Sequence, residues 1–407
     1  MTHGNALYSA FFGDRGDTFM DFFNSVINST VQDPYVEAHV IYPPFIELVY
    51  RAFSHLIPTE VFNGFVLDPT GSTQLQEIKV RQEFVLPFIC YSIILIATIC
   101  LVVYEFRKGN RFNKLFAVCF VLFAYPVLYA IERGNNVLFS VIGLLFFFLW
   151  YDSENKVKRE LALVGLAISV AIKLYPAIFL LILLIDKRWM EFLRGVLYCI
   201  VLTILPFFAF DGLTSLKAFV YQVIDWSSDA APSGVNFEHA MYILSTRLGI
   251  SPNQFLLGIV PLLLAGVGVV TSFFAKERWR TVLLLTCIMV GSFGRSARYM
   301  MAFLVVPLLL FLNAKKQRSF INYVYLVLFA VLLTMKPYGE SYASPYYWET
   351  TLSVELAIDC IGMFILTIIA TVHSSYDMCT KIKNTYSTCK NKKRQGMAPK
   401  LDGAEEK

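Results

Sequence analysis

"FVLPFICYSIILIATICLVVY", residues 84–104, carries no charged side chain along its whole length. An uninterrupted apolar run of ~20 residues is what an α-helix needs to cross the hydrocarbon core of a bilayer. Working outward from it, similar stretches are read at 115–131, 136–151, 161–172, 174–185, 195–210, 254–275, 281–293, 299–312, 320–335 and 352–371, eleven in all. Several fall short of a full span. Lys173 interrupts 161–172 and 174–185, and "GRSAR" interrupts 281–293 and 299–312. Each of these pairs is therefore expected to be either two short crossings or a re-entrant hairpin, which is tolerated where protein or a wet cavity surrounds it. The 407 residues are 57% hydrophobic and only 16% charged, against about 25% charged in soluble domains. The reading is an all-α polytopic membrane protein with about 11 membrane segments.

The net charge of +5 does not point to nucleic acid, because the basic residues sit in short runs between apolar segments rather than in one patch. Arg107, Lys108, Arg111 and Lys114; Lys156, Lys158 and Arg159; Lys187, Arg188 and Arg194; Lys276, Arg278 and Arg280; Lys315, Lys316 and Arg318; and the Lys-rich tail all fall on one side of an alternating topology. By the positive-inside rule that side is cytoplasmic. The other side receives residues 1–83, "ERGNN" at 132–136, Lys173, the connection 211–253, "GRSAR" at 294–298 and "KPYGESYASPYYWETT" at 336–351. Three regions follow: an external loop region with surface helices (1–83), a transmembrane core (84–371) and a basic cytoplasmic tail (372–407) solvated or facing anionic lipid. The expected location is the plasma membrane. Six of the eight cysteines lie inside apolar runs, and no disulfide framework or zinc spacing is visible.

The external segments hold the residues with chemistry. Asp14, Asp17 and Asp21 crowd the leader, and Asp17 and Asp21 share one face of any helix formed there. A carboxylate at a membrane surface serves as a general base, or as plain solvated surface. Turn-rich "DPY" (33–35) and "YPPF" (42–45) follow, then the amphipathic "IELVYRAF" (46–53). Lys173 in "IKLYP" is an ionisable group flanked by apolar runs, a functional candidate unless it merely snorkels. Arg295 and Arg298 add cations suited to an anionic headgroup. Glu355 and Asp359, four apart, form a polar seam or, in a transporter, a proton path. His39, His55 and His239 read as ordinary interfacial residues.

The ordered series "MDFF" (20–23), "DPY" (33–35), "YPP" (42–44), "RGNN" (133–136) and "KLYP" (173–176), followed by "DKRW" (186–189), resembles glycosyltransferase family 87 over roughly residues 17–312. That resemblance implies a GT-C fold and an activity like that of polyprenyl-phosphate-mannose-dependent α-mannosyltransferases. It places the catalytic base on Asp21, with Asp17 beside it. Where the family often carries a Ser/Trp/His-type cluster in a late external loop, this chain has "SFGRSARY" (292–299).

A polyprenyl-phosphate sugar keeps its lipid in the bilayer and its anomeric carbon just outside, so the base belongs at the external surface. Inverting transfer takes the proton from an acceptor hydroxyl while the phosphate leaves on the opposite side, its charge held by cations. Lys173, Arg133, Arg295 and Arg298 are the expected phosphate-binding residues, and Tyr42, Asn135, Asn136 and Tyr175 the expected substrate-binding ones. A monophosphate leaving group is neutralised by arginines, so no metal or other cofactor is expected, with Asp17 and Asp21 the alternative holders of a metal. The expected partners are the lipid-linked donor, a cell-envelope glycan or glycolipid acceptor, and membrane lipids. Two other classes compete: a transporter or flippase of lipid-linked glycans, with its charges near the midplane, and a polysaccharide polymerase or ligase. Eleven crossings with a cytoplasmic tail put residue 1 outside with no signal ahead of it. The native product is therefore expected to begin upstream of Met1 with an apolar helix ending just before "GDRGD".

Overall fold

The computed structural model describes residues 19–62, 82–228, 233–250, 254–292, 295–314, 319–335, 341–343 and 351–396. Asp14, Asp17, Lys315, Lys316, Arg318 and most of the 336–351 connection lie outside the described residues. The described chain is helical apart from two short strand pairs. Ser233–Gly234 runs parallel to Arg295–Ser296, and Ser341–Ala343 runs antiparallel to Thr351–Ser353.

Helices α1 (Met20–Asn28) and α2 (Pro44–Ser54) precede the long α3 (Gln82–Phe106). Next come α4 (Arg111–Leu122) and α5 (Tyr125–Arg133), bent against each other by 55°. Pro126 in the first turn of α5 lacks the N–H that would continue the α4 ladder, so the bend falls there. Then follow α6 (Val137–Trp150), α7 (Lys156–Ile172), a 3₁₀ segment Tyr175–Leu180 continuing into α8 (Leu181–Ile185), and α9 (Trp189–Ile204) with the 3₁₀ turn Leu205–Ala209. The remainder is α10 (Leu213–Ser228), α11 (Phe237–Arg247), α12 (Gln254–Ser272), α13 (Arg278–Gly291), a 3₁₀ segment Arg298–Leu304 leading into α14 (Val305–Asn313), α15 (Phe320–Leu333) and α16 (Val354–Gly396).

Every apolar stretch read from the sequence carries helix. Three, Gln82–Phe106, Trp189–Ala209 and Val354–Ser387, are long and apolar enough to cross a membrane, and the bent α4–α5 pair is a fourth if taken as one span. The others are shorter. The expected eleven segments thus correspond, on length, to three or four full spans plus shorter apolar helices. Only 33% of the most apolar window of α3 and 17% of that of α9 is buried within the protein. The remaining Leu, Ile and Phe side chains, such as Leu86, Ile93, Leu197 and Ile200, need an apolar solvent, which lipid supplies. Helix α16 continues unbroken past residue 371, so the core and the basic tail are one helix up to Gly396.

The basic loops gather at one end. Arg107 donates to Asn313 Oδ1 at 2.7 Å, Arg188 pairs with Asp152 and Glu191, Arg194 with Glu160, Arg278 with Asp186, and Arg280 with Asp377 at 2.8 Å. The opposite end collects α1, α2, the "ERGNN" turn, Lys173 and the Arg298–Glu355 pair.

Helices α6 and α7 meet through small residues. A Cβ added at Gly143 would lie 2.6 Å from the Gly165 carbonyl oxygen, closer than any side chain allows. One turn away, Ser140 Oγ donates to the Ser169 carbonyl at 2.9 Å while Ser169 Oγ reaches the Ser140 carbonyl at 2.8 Å. Glycines let the backbones approach and serines bond across the gap, which holds helices together where lipid removes the hydrophobic contrast.

Candidate active site

Helix α1 is pinned by aromatics. The Phe22 ring lies 4.7 Å from Tyr91 and 5.4 Å from Phe88 of α3, and 5.8 Å from Phe53 of α2. Such pairs contribute ~0.5–1.5 kcal/mol each beyond area burial, and Phe→Ala at such a site costs ~3–5 kcal/mol. Phe19, at the N-cap, has φ 65° and donates its N–H to the Glu132 carbonyl at 2.7 Å. The start of α1 is thereby fastened to the "ERGNN" turn.

That turn requires its glycine. Gly134 caps α5 with φ 67°, and a Cβ there would meet Phe22 Cβ at 2.6 Å. Its left-handed backbone reverses the chain so that Arg133 and Asn135 both address Asp21. Arg133 donates from Nε to Asp21 Oδ2 at 3.0 Å and from Nη2 to Oδ1 at 2.8 Å, and Asn135 Nδ2 donates to Oδ2 at 2.8 Å. The amide of Asn135 is itself held by the Val137 N–H, which donates to its Oδ1 at 2.9 Å. The Asp21 and Arg133 side chains keep 14% and 16% of their exposure, so a substrate can reach them. An ionised carboxylate has about four acceptor positions, of which these donors take three.

Lys173 ends α7 with its Nζ 4.0 Å above the centre of the Tyr42 ring. Tyr42 is set by its neighbours. Its carbonyl accepts from the Tyr35 hydroxyl at 3.0 Å, and the two prolines after it stiffen the entry to α2. Asp33 acts structurally, capping the turn at Tyr35 and accepting from Ser215 Oγ of α10 at 2.7 Å. Lys173 is buried, and that burial brings its pKa down to about 7, with the Asp21 and Glu47 charges acting in the opposite sense. Asp21, Arg133, Asn135, Tyr42 and Lys173 therefore belong to one neighbourhood.

The remaining expected residues lie at its margins. Tyr175 directs its hydroxyl to Met300 Sδ at 2.7 Å. Asn136 caps α6, with its amide buried and without a hydrogen-bond partner among the described residues. Arg298 is occupied by Glu355 at 2.8 Å and by the Tyr125 hydroxyl at 3.3 Å, with Asp359 at 3.9 Å, so Glu355 and Asp359 form a polar seam with it. Arg295 lies in a two-residue strand beside Ser233; its side chain and Asp17 are outside the described residues.

Two residues were not singled out from the sequence. Tyr299 stacks on Tyr129 with ring centres 6.1 Å apart and is within side-chain hydrogen-bonding reach of Asn135. Glu47 lies on the buried face of α2 with Tyr50 and Ser54, fully enclosed. The signal was there: 47, 50 and 54 share one helical face, and an acid on the apolar face of an amphipathic helix is out of place.

Beside this neighbourhood an apolar groove of about 370 Å³ runs between α2, α6 and α7. Its walls include Trp150 and Phe146, then Ile168, Val49, Phe45 and finally Ile172, one residue before Lys173. The floor is the Gly143–Gly165 crossing.

The sequence model of glycosyltransferase family 87 matches residues 75–307, more than half of the chain. The match contains "RGNN", "KLYP" and "SFGRSARY" and begins after Asp21, Tyr42 and Glu47. No curated protein matches the chain.

Proposed function

The chain belongs to glycosyltransferase family 87, and from that premise we propose that it moves a mannose-like hexose from a polyprenyl-phosphate sugar to a hydroxyl of a cell-envelope glycan or glycolipid, on the external face of the plasma membrane. The family makes it a membrane glycosyltransferase; donor, acceptor, face and mechanism are our reading. One observation carries it: the apolar groove ends at Ile172, so a lipid lying in it brings its head group against Lys173 with Asp21 close by.

In this reading Lys173 meets the phosphate, helped by whichever of Arg295 and Arg298 the bound donor reaches. The fork of Arg133 holds the Asp21 carboxylate fixed in direction. The acceptor hydroxyl takes the open position on Asp21 Oδ1, and as the C1–O bond to phosphate breaks, the acceptor oxygen bonds to C1 from the opposite side and its proton passes to Asp21. Tyr42, Asn135, Asn136 and Tyr175 line the approach of the sugars. The eleven-segment GT-C bundle, with its basic end cytoplasmic, is the topology that presents this site outward.

A transporter or flippase would place its charges near the midplane, whereas Asp21, Arg133 and Lys173 all sit at helix ends. The test is transfer itself. Purified protein is given radiolabelled polyprenyl-phosphate hexoses with a membrane extract; label moving into a glycan or glycolipid, and lost with Asp21→Asn, is the expected result. Movement of intact donor across vesicles, with no sugar transferred by the wild type, would replace this reading with the transporter.

A further inference from the structure

The buried face of α2 places a carboxyl group where nothing among the described residues bonds it. Glu47 is 0% exposed, and neither of its oxygens has a hydrogen-bond partner there. Lys173 lies near it, since Ile46 of α2 and Ile172 of α7 line the same groove, and is seated on Tyr42 without an acid in contact among the described residues. An unpaired charge in such surroundings is expensive, and a buried acid and base can avoid it by staying neutral together. Burial moves the two in opposite directions, Glu47 up to about 8 and Lys173 down to about 7.

The other groups around the pair are spoken for. Asp21 of α1 is held by Arg133 and Asn135. Arg51, one turn along α2, donates to the carbonyls of Ser29 and Val31 and lies over the Phe210 ring. The hydroxyl groups near Glu47 are those of Tyr35 and Tyr42 before α2 and Tyr50 on it, with Tyr91 of α3 beside Tyr50. Helices α7 and α9 pack on α2 but carry their charges at the far end, where Arg159 pairs with Glu191 and Arg194 with Glu160. The turn Leu205–Ala209 brings no charge. Among the described residues, Glu47 and Lys173 are the two ionisable side chains left to answer each other.

We propose that Glu47 and Lys173, which are not in direct contact, carry one proton as a pair, and that the phosphate of a lipid-linked donor draws it from the acid onto the lysine. In that step the O–H bond of the Glu47 carboxyl breaks and an N–H bond forms at Lys173 Nζ, a relaying water giving one proton to the lysine and taking one from the acid, so that carboxylate and ammonium result with no net proton taken from solvent. The inference rests on the reading of Lys173 as the phosphate-binding cation. It makes Glu47 a positioning residue, which does not touch the donor but sets the charge of the group that does. A lysine alone at this place would have to capture a proton from water each time an anion arrived. With Glu47 beside it, the proton is already inside.

The experiment is calorimetric titration of the purified full chain with farnesyl phosphate, from pH 6.5 to 8.5, in two buffers of different ionisation heat. In the wild type, affinity should be level between pH 7 and 8, with little proton uptake at pH 7.5 and about half a proton at pH 8. In Glu47→Gln, affinity should weaken about tenfold per pH unit above ~7, with close to one proton taken up, since one linked proton has that slope. Glu47→Asp should restore most of the level profile. A Glu47→Gln profile lying on that of the wild type overturns the inference, and so does uptake of a full proton by the wild type at pH 8, a measurement that needs no variant. Lys173→Met separates the two levels: if it binds farnesyl phosphate as tightly as the wild type, the phosphate assignment itself falls. If it binds weakly while Glu47→Gln keeps the wild-type pH profile, only the shared proton falls.

Discussion

Arg133 grips Asp21 with two near-parallel hydrogen bonds of 2.8 and 3.0 Å, although the residues stand 112 positions apart. The pairing joins α1 to the end of α5 and points a carboxylate in a set direction. A planar fork matched to a planar acceptor fixes orientation as well as charge.

Asp21→Asn should lower transfer by ~10²–10⁴-fold, the usual loss on removing a general base. The variant should still elute as a monodisperse species and bind farnesyl phosphate, because the amide keeps the shape of the carboxylate. Asp14→Asn should be nearly silent. If Asp21→Asn turned over at the wild-type rate and Asp17→Asn were dead, the base would be Asp17, one helical turn earlier.

Arg133→Lys tests the fork. An ammonium keeps the charge but supplies a point rather than two fixed N–H directions. Turnover should fall at least tenfold with donor affinity little changed; a variant with wild-type turnover would show that orientation of Asp21 does not depend on the bidentate contact.

Lys173→Met should raise the apparent KM for the lipid-linked donor ~10-fold or more at pH 6.5, where the lysine is charged, and leave turnover at saturation much less affected. Lys173→Arg should retain part of the activity. Equal donor KM in wild type and Lys173→Met would move the phosphate to Arg295 or Arg298.

Stability should depend on pH through Glu47. Its native pKa, raised by burial to about 8, stands above the ordinary value of 4.5. Below 4.5 both native and unfolded forms hold the proton. Between 4.5 and 8 the unfolded form ionises while the native form does not, so stability is lost as pH rises across that window and changes no further above it. Lys173 acts oppositely between about 7 and its ordinary 10.5, favouring the native state as pH rises. Thermal unfolding in detergent should therefore find Glu47→Gln close to the wild type at pH 4.5 and relatively more stable at pH 7; a constant difference at both pH values would contradict the burial argument.

Gly143→Leu should do two kinds of damage. A side chain there collides with the Gly165 carbonyl and projects into the groove floor. Yield of folded protein should drop. Ile168→Trp, which fills the groove from its wall, should spare folding and raise KM for a long-chain donor more than for a farnesyl one. Equal effects on both chain lengths would show that the groove does not hold the lipid.

The fold was legible where physics is local. Each apolar stretch became helix, and Pro126 explains the one bend that a continuous reading of 115–131 missed. Spanning length was harder to read: α6 and α13 are 14 residues each, short of a full span although apolar segments are read there. In the site, Asp21, Arg133, Asn135, Tyr42 and Lys173 were all visible as polar residues bounded by apolar runs. Their convergence was not, since it depends on Gly134 turning the chain and on Phe19 docking against Glu132. Glu47 was passed over because "IELVYRAF" reads as simply amphipathic until the buried face is traced through Tyr50 and Ser54. Arg298 reads from the sequence as a phosphate-binding cation, and its partner Glu355 comes from a helix far along the chain.

The Phe19 to Glu132 and Asp21 to Arg133 bonds also set a timetable. A ribosome adding ~5–20 residues per second takes roughly eight to thirty seconds to get from Asp21 to Lys173. Until Arg133 arrives the nascent chain displays a carboxylate whose clamp has not yet been made, and until α7 is complete the apolar groove lacks one of its walls. If the site transfers sugar as proposed, its chemistry starts only once the seventh helix is complete, and a chain stalled earlier does not act on a lipid-linked donor.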